Sequence, residues 1–256
     1  MTKIFPAIAI PGNNIDSKQY IENGTQGAMI LAFFVAILIS LVAIVFSYGT
    51  LLIVFICYPL LAGYLHKKSR ALIHGSGVCV SEEQFPEIYN CVKIFKDRLN
   101  LPRDVDVYIV ESNVVNAAAV RYGNQNIVLL TDDLIHGCLE SGEPKALAYV
   151  IGHELAHISL KHTSLFRLWM ANRLKKLGRL DEYSADNVAL ALVEDKEIAF
   201  HGLLLLSVGY ALMPFVNPAS IIKQAQEVAM NKYSKKAERG QTHPLLLNRM
   251  AKVLKK

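Results

Sequence analysis

The order of apolar and charged positions divides the chain into three stretches. Residues 28–65 carry no charged side chain, a run of 38 residues. As one straight helix this run would be about 57 Å long, against a hydrocarbon core of about 30 Å. Two membrane spans fit it better, roughly 28–47 and 51–65, with Tyr48-Gly49-Thr50 as the turn. A single tilted or broken anchor is the alternative. The second span would be short and contains Pro59, which transmembrane helices tolerate.

Ahead of the run, residues 1–27 are polar and contain Pro6, Pro11 and Gly12, which predicts a flexible leader. A cleaved signal peptide does not fit, because the run starts late, is too long and lacks a small-residue cleavage site. Behind it stands His66-Lys67-Lys68-Ser69-Arg70, the densest positive flank in the chain. The positive-inside rule puts that flank and everything after it in the cytoplasm. The expectation is a multi-pass protein of the inner or cell membrane, with residues 66–256 as one cytoplasmic domain.

Within that domain the pattern changes from helix to strand and back. Ser81-Glu82-Glu83-Gln84 reads as a capping box opening a helix over 81–100. Short strands are predicted over 105–110, 116–121 and 126–130. Pro144 suits the first turn of a helix reaching about Lys161, and helical patterns continue to the C-terminus. A small sheet followed by helices predicts a mostly helical α+β domain.

Composition sharpens this picture. Hydrophobic residues make up 52% and charged residues 19%, below the roughly 25% charged of a soluble domain, as a membrane portion requires. Disorder and fibrous repeats are excluded by the same apolar fraction. The net charge of +5 comes from scattered basic residues without an aromatic stripe, so no nucleic-acid partner is expected. Cys57, Cys79, Cys91 and Cys138 form no CxxC pair, which fits free thiols on a reducing side of the membrane.

The candidate chemistry lies in His153-Glu154-Leu155-Ala156-His157. Residues four apart share a helix face, so both imidazoles can reach one metal ion, with Glu154 beside them as a proton acceptor. Val150, Ile151 and Ile158 make this helix largely apolar. A buried polar face there needs partners, and a metal ion would satisfy it. Zinc needs a third protein ligand. His162 follows one place too early for the HExxHxxGxxH pattern and would fall on the opposite helix face, as a surface or second-layer histidine. Glu182 and Asp186, again four apart, serve better: Glu182 as the ligand, Asp186 holding the outer N–H of His153.

Together, HELAH, the EYSAD that follows it, and Thr242-His243-Pro244 with Arg249 resemble the HtpX-like and CAAX prenyl protease family of gluzincin metallopeptidases. Asn116-Ala117-Ala118-Ala119 looks like that family's edge strand ahead of the active-site helix. The resemblance covers about residues 70–256. It implies a zincin-like domain with one zinc ion per chain, acting on protein or peptide substrates in quality control of membrane or misfolded proteins. It also implies that the edge strand pairs with an extended substrate backbone and that His243 lies near the metal. HtpX carries further transmembrane helices between HExxH and the glutamate ligand. Here only 24 residues intervene, at 158–181, too few for two crossings.

The expected reaction is hydrolysis of a peptide bond. His153, His157 and Glu182 hold the metal, Glu154 is the general base, and His243 or Tyr183 steadies the oxyanion. Arg249 either joins them or pins the last helix near the site. Residues 198–216 lack Asp, Glu, Lys and Arg and could be mistaken for a span. A crossing there would separate Glu182 from His243, so a buried or membrane-facing domain helix is expected. Two rivals remain: an anchored binding or chaperone-like module with little turnover, and a processing enzyme for lipidated substrates. The second would need more spans than this chain has.

Overall fold

The computed structural model describes residues 8, 12–102 and 104–256, so residues 1–7 and 9–11 of the expected leader lie outside the described residues. Helix α1 (Thr25–Phe46) and helix α2 (Thr50–Ser76) form a hairpin. Its turn uses Tyr48 at φ 50° and Gly49 at φ 83°, a left-handed pair that reverses the chain sharply. A stripe of small residues, Thr25, Ala28, Ala32 and Ala36, is buried against the domain. The opposite face of α1 exposes Ile30, Phe34, Leu38, Leu41 and Val45. This helix is long and apolar enough to cross a bilayer. The second helix meets that test only as two segments, Thr50–Tyr58 and Leu61–Ser76, bent by 46°. Pro59 in the sequence removes one helical N–H donor at that break. The helix also continues beyond Leu65 to Ser76, so Lys67, Lys68 and Arg70 belong to α2 itself.

Strand β1 (Val78–Cys79) leads to helix α3 (Pro86–Arg98) and then to β2 (Val105–Val110), β3 (Ala117–Tyr122) and β4 (Gln125–Thr131). The sheet order is β1-β2-β4-β3, with β2 and β4 parallel and the two outer strands antiparallel to their neighbours. Helix α3 starts at Pro86, later than the capping-box pattern predicts. Proline favours the first helical position, and Phe85 before it takes a left-handed conformation. Ser81 and Gln84 instead exchange backbone hydrogen bonds in a turn.

The remaining helices are α4 (Asp132–Glu140), α5 (Ala146–Ser159), α6 (Leu165–Arg173), α7 (Lys175–Val193), α8 (Lys196–Val208), α9 (Pro218–Met230), α10 (Lys232–Glu238) and α11 (Leu246–Leu254). Helix α5 is central: it packs on α3, α7, α8 and strand β3, and nearly all its residues are buried. Gly152 permits the close α5–α7 approach, because a Cβ there would meet Leu192 at 3.2 Å. The uncharged run at 198–216 is a domain helix and not a span. Gly209, at φ 71°, ends α8, and a 3-10 turn at Tyr210–Phe215 follows. Ile198, Ala199, Leu203 and Leu205 are in the core.

Residues 12–24, read from the sequence as leader, are tied to the domain. The Ile15 N–H donates to the Arg98 carbonyl, the Glu22 N–H to Ser184 Oγ at 2.9 Å, and the Asn187 amide to the Tyr20 carbonyl at 3.0 Å. Arg98 in turn donates to the carbonyls of Asn13 and Leu192. These long-range bonds satisfy backbone groups that local composition suggested would meet only water.

Candidate metal centre

Helix α5 brings His153 and His157 onto one face by its four-residue spacing, and α7 lies across it with Glu182 and Asp186 facing them. The two histidine Nε2 atoms are 3.1 Å apart. Glu182 reaches both, with Oε2 3.5 Å from His153 Nε2 and Oε1 3.4 Å from His157 Nε2. Ligand atoms of His153, His157 and Glu182 all lie within 4.8 Å of one another, the one such group among the described residues. Two imidazoles and a carboxylate suit zinc.

Each histidine's other nitrogen is held from behind. The His153 Nδ1 lies 3.0 Å from Asp186 Oδ1. Arg249 on α11 clamps that carboxylate with Nε at 2.8 Å and Nη2 at 2.6 Å, and Tyr149 donates its hydroxyl at 2.9 Å. The His157 Nδ1 faces His162 Nδ1 at 3.1 Å. On its far side, His162 Nε2 is 3.5 Å from Asp181, which Arg167 grips with two nitrogens. With both Nδ1 atoms engaged, both Nε2 atoms face the shared centre and Glu182, and these are the atoms that would ligate a metal.

His162 is thus a second-layer group, as one of the two sequence readings had it, but not for the helical reason given. Helix α5 ends at Ser159 and Lys161 turns left-handed at φ 61°, which folds His162 back under His157. Burial first, and then the nearby His157 and Arg167, push the His162 imidazole down to about 2. A neutral ring can accept from His157 and donate to Asp181.

Burial and these contacts set the charge of the two carboxylates. Burial raises the Glu182 carboxyl, but hydrogen bonds from His153, His157 and His243 outweigh it and hold the group well below the usual carboxylate range. Burial also acts on Asp186, and there the Arg249 charge and His153 again win and lower it. Both carboxylates therefore stay ionised.

A cavity of about 380 Å³ opens on this centre. Glu154 lines it, as do Asn116, Ala117, Ala118 and Ala119. Ala117 to Ala119 belong to β3, the sheet's outer strand on this side, which leaves one row of backbone groups unpaired by the sheet. Asn116 anchors the strand's start, exchanging hydrogen bonds with Thr131.

The His243 loop approaches from the other side, with His243 Nδ1 3.1 Å from Glu182 Oε1 and its ring exposed. Arg179 holds this loop through the carbonyls of Glu238, Arg239 and Gln241, and buried Glu238 accepts from the Leu245 N–H. Gly178 lets the loop sit on α7, since a Cβ there would be 2.9 Å from the Thr242 carbonyl. Tyr183 is a different matter. It neighbours Glu182 in sequence but points about 100° around the helix, with Lys252 4.1 Å above its ring, and it does not line the cavity. Of the two residues expected to steady the oxyanion, His243 lines the cavity and Tyr183 does not. Arg249 is committed to Asp186 and lies 3.4 Å from Glu182, so it supports the site as well as pinning α11.

Sequence reasoning missed Tyr149, Arg167 and Asp181. Tyr149 stands four residues before His153 and so shares its helix face, a signal that helical spacing could have supplied. Arg167 and Asp181 meet only through the fold.

Known proteins place this arrangement. The profile of Peptidase family M48 matches residues 82–176 and 164–256. A protein described as "Protease HtpX homolog" from Thermodesulfovibrio yellowstonii is 38% identical over 87 residues. That alignment covers 34% of this chain and 28% of the relative, so the chain matches well under two thirds of that relative's length. No solved structure matches. The family match takes in the α5 histidines, Glu182, His243 and Arg249 together, and on that basis the chain belongs to peptidase family M48.

Proposed function

We propose that this protease is a membrane-anchored, zinc-dependent endopeptidase with a zincin-like domain, acting in quality control of membrane or misfolded proteins. One observation carries the reading: His153, His157 and Glu182 converge with Glu154 in a cavity walled by an outer strand. A zinc ion bound there would supply Lewis acidity and lower the pKa of its water. The protein's own groups do the rest. Glu154 takes a proton from the attacking water and delivers it to the leaving amine. Strand β3 aligns an extended peptide across the cavity through its free backbone groups. His243 donates to the oxygen that gains charge as the carbonyl carbon becomes tetrahedral.

Anchoring rests on α1, and the second crossing on α2. The cytoplasmic placement of the domain rests on Lys67, Lys68 and Arg70. The test uses purified full-length chain in detergent with an unfolded protein substrate. Cleavage should stop on chelation and return on adding zinc, and Glu154→Gln should remain inactive throughout. Cleavage that survives chelation would refute the metal mechanism. Substrate binding without cleavage in the zinc-loaded wild type would favour the chaperone-like alternative. A cysteine at Lys256, in a chain without the native four, should resist an impermeant thiol reagent on intact cells; labelling there would reverse the orientation.

A further inference from the structure

Helix α6 exposes large apolar side chains. Leu165, Phe166 and Leu168 are 50%, 53% and 47% exposed, and Phe166 stacks on Trp169 with ring centroids 5.9 Å apart. The same Phe166 ring meets Phe33 of α1 edge-on at 6.2 Å. Beneath, Met170 and Ala171 share a buried cluster with Ala28 and Ala32. The exposed face of α6 is therefore continuous with the exposed face of α1, at the level of Ile30 to Phe34.

That level can be set against a bilayer. From Ile30 to Phe46 α1 rises about 24 Å, less than the roughly 30 Å of a hydrocarbon core. A membrane crossed by α1 needs that whole length, so the lipid that covers Ile30 and Phe34 must also reach Leu165 and Phe166. Charge points the same way. Residues 158–180 contain Lys161, Arg167, Arg173, Lys175, Lys176 and Arg179 and no acidic residue. Of these, Lys161, Arg173 and Lys176 are exposed. Apolar and aromatic side chains with flanking cations are the chemistry of a helix lying in an anionic lipid surface.

We infer that α6 is an interfacial helix, seated in the near leaflet beside α1 and bound to acyl chains and anionic headgroups. The same helix borders the cavity, with buried Ala171 and the exposed Leu168 and Asn172 at its rim. The cavity then opens at the bilayer surface, where a substrate segment leaving the lipid meets strand β3 without crossing bulk water. The inference rests on α1 being a membrane anchor, as proposed above.

The chain's single tryptophan, Trp169, makes this testable without mutation. The full-length protein is reconstituted in phosphatidylcholine–phosphatidylglycerol vesicles whose acyl chains are brominated either near the carbonyl or near the methyl end. Trp169 emission should fall by about half with carbonyl-end bromines and by less with methyl-end bromines, as for a helix in the interface. A reference chain carries Trp169→Phe and Leu38→Trp, with the new reporter midway along the exposed part of α1. Its emission should fall more with methyl-end bromines. If the reference is quenched and Trp169 is not, α6 faces water or another protein and the inference is overturned while the anchor stands. If neither is quenched, α1 is outside the membrane and both readings fall.

Discussion

His153 and His157 occupy equivalent places on α5, yet the groups behind them differ. His153 rests on an ionised carboxylate, Asp186, held by Arg249 and Tyr149. His157 rests on a neutral imidazole, His162, and only through it on Asp181 and Arg167. Both supports hold Nδ1 and leave Nε2 facing the centre, but a direct carboxylate would also make its histidine the more basic metal ligand. The comparison teaches that orientation and electron donation are separable. The first is given to both histidines and the second mainly to His153. The chain segments differ too: Tyr149, Asp186 and Arg249 stand on α5, α7 and α11, whereas His162 reaches His157 from the turn at Lys161, backed by Asp181 on α7 and Arg167 on α6.

The most severe test removes what both sides share. Glu182→Ala should take zinc content of the purified chain from about one ion to nearly none, measured by elemental analysis. Unchanged metal would remove Glu182 from the ligand set and leave the comparison without its centre. Next, Glu154→Gln should keep zinc and lose about 100-fold or more in kcat/KM, because it touches chemistry and neither support. Activity within a few-fold of wild type would mean that another group is the base.

The two supports can then be set against each other. Asp186→Asn should weaken zinc affinity by about 10- to 100-fold in competition with a chromogenic chelator. His162→Gln, which keeps an acceptor for His157 but passes on less from Asp181, should cost about 10-fold or less. Equal losses would show that the relay through His162 donates as well as a direct carboxylate. The smallest effect is expected at Gly178→Ala. Its Cβ would press on the Thr242 carbonyl and shift the His243 loop, lowering kcat by a few-fold with zinc affinity unchanged. A loss of zinc there would tie the loop to metal retention.

Much of the site was legible in the chain because helical spacing is local. A spacing of four from His153 to His157, and again from Glu182 to Asp186, places each pair on one face wherever the helix goes. The uncharged run and its glycine turn were equally plain, since a lack of charge over 38 residues needs no tertiary context. What failed to read out depended on neighbours. The capping-box pattern at Ser81 lost to Pro86 five residues on, and residues 12–24 read as leader until Arg98 and Ser184 gave their backbone partners.

The sequence by itself therefore determined which residues can act together on a single helix: the two histidines with Glu154, and the glutamate with its aspartate. Only the tertiary structure decided that α5 and α7 face each other, that Arg249 closes on Asp186 from 63 residues away, and that His162 turns in behind His157. The reason is range. A helix repeats its geometry every few residues whatever surrounds it, whereas a clamp between distant helices, or a side chain turned by one left-handed residue, exists only once the core has closed around it.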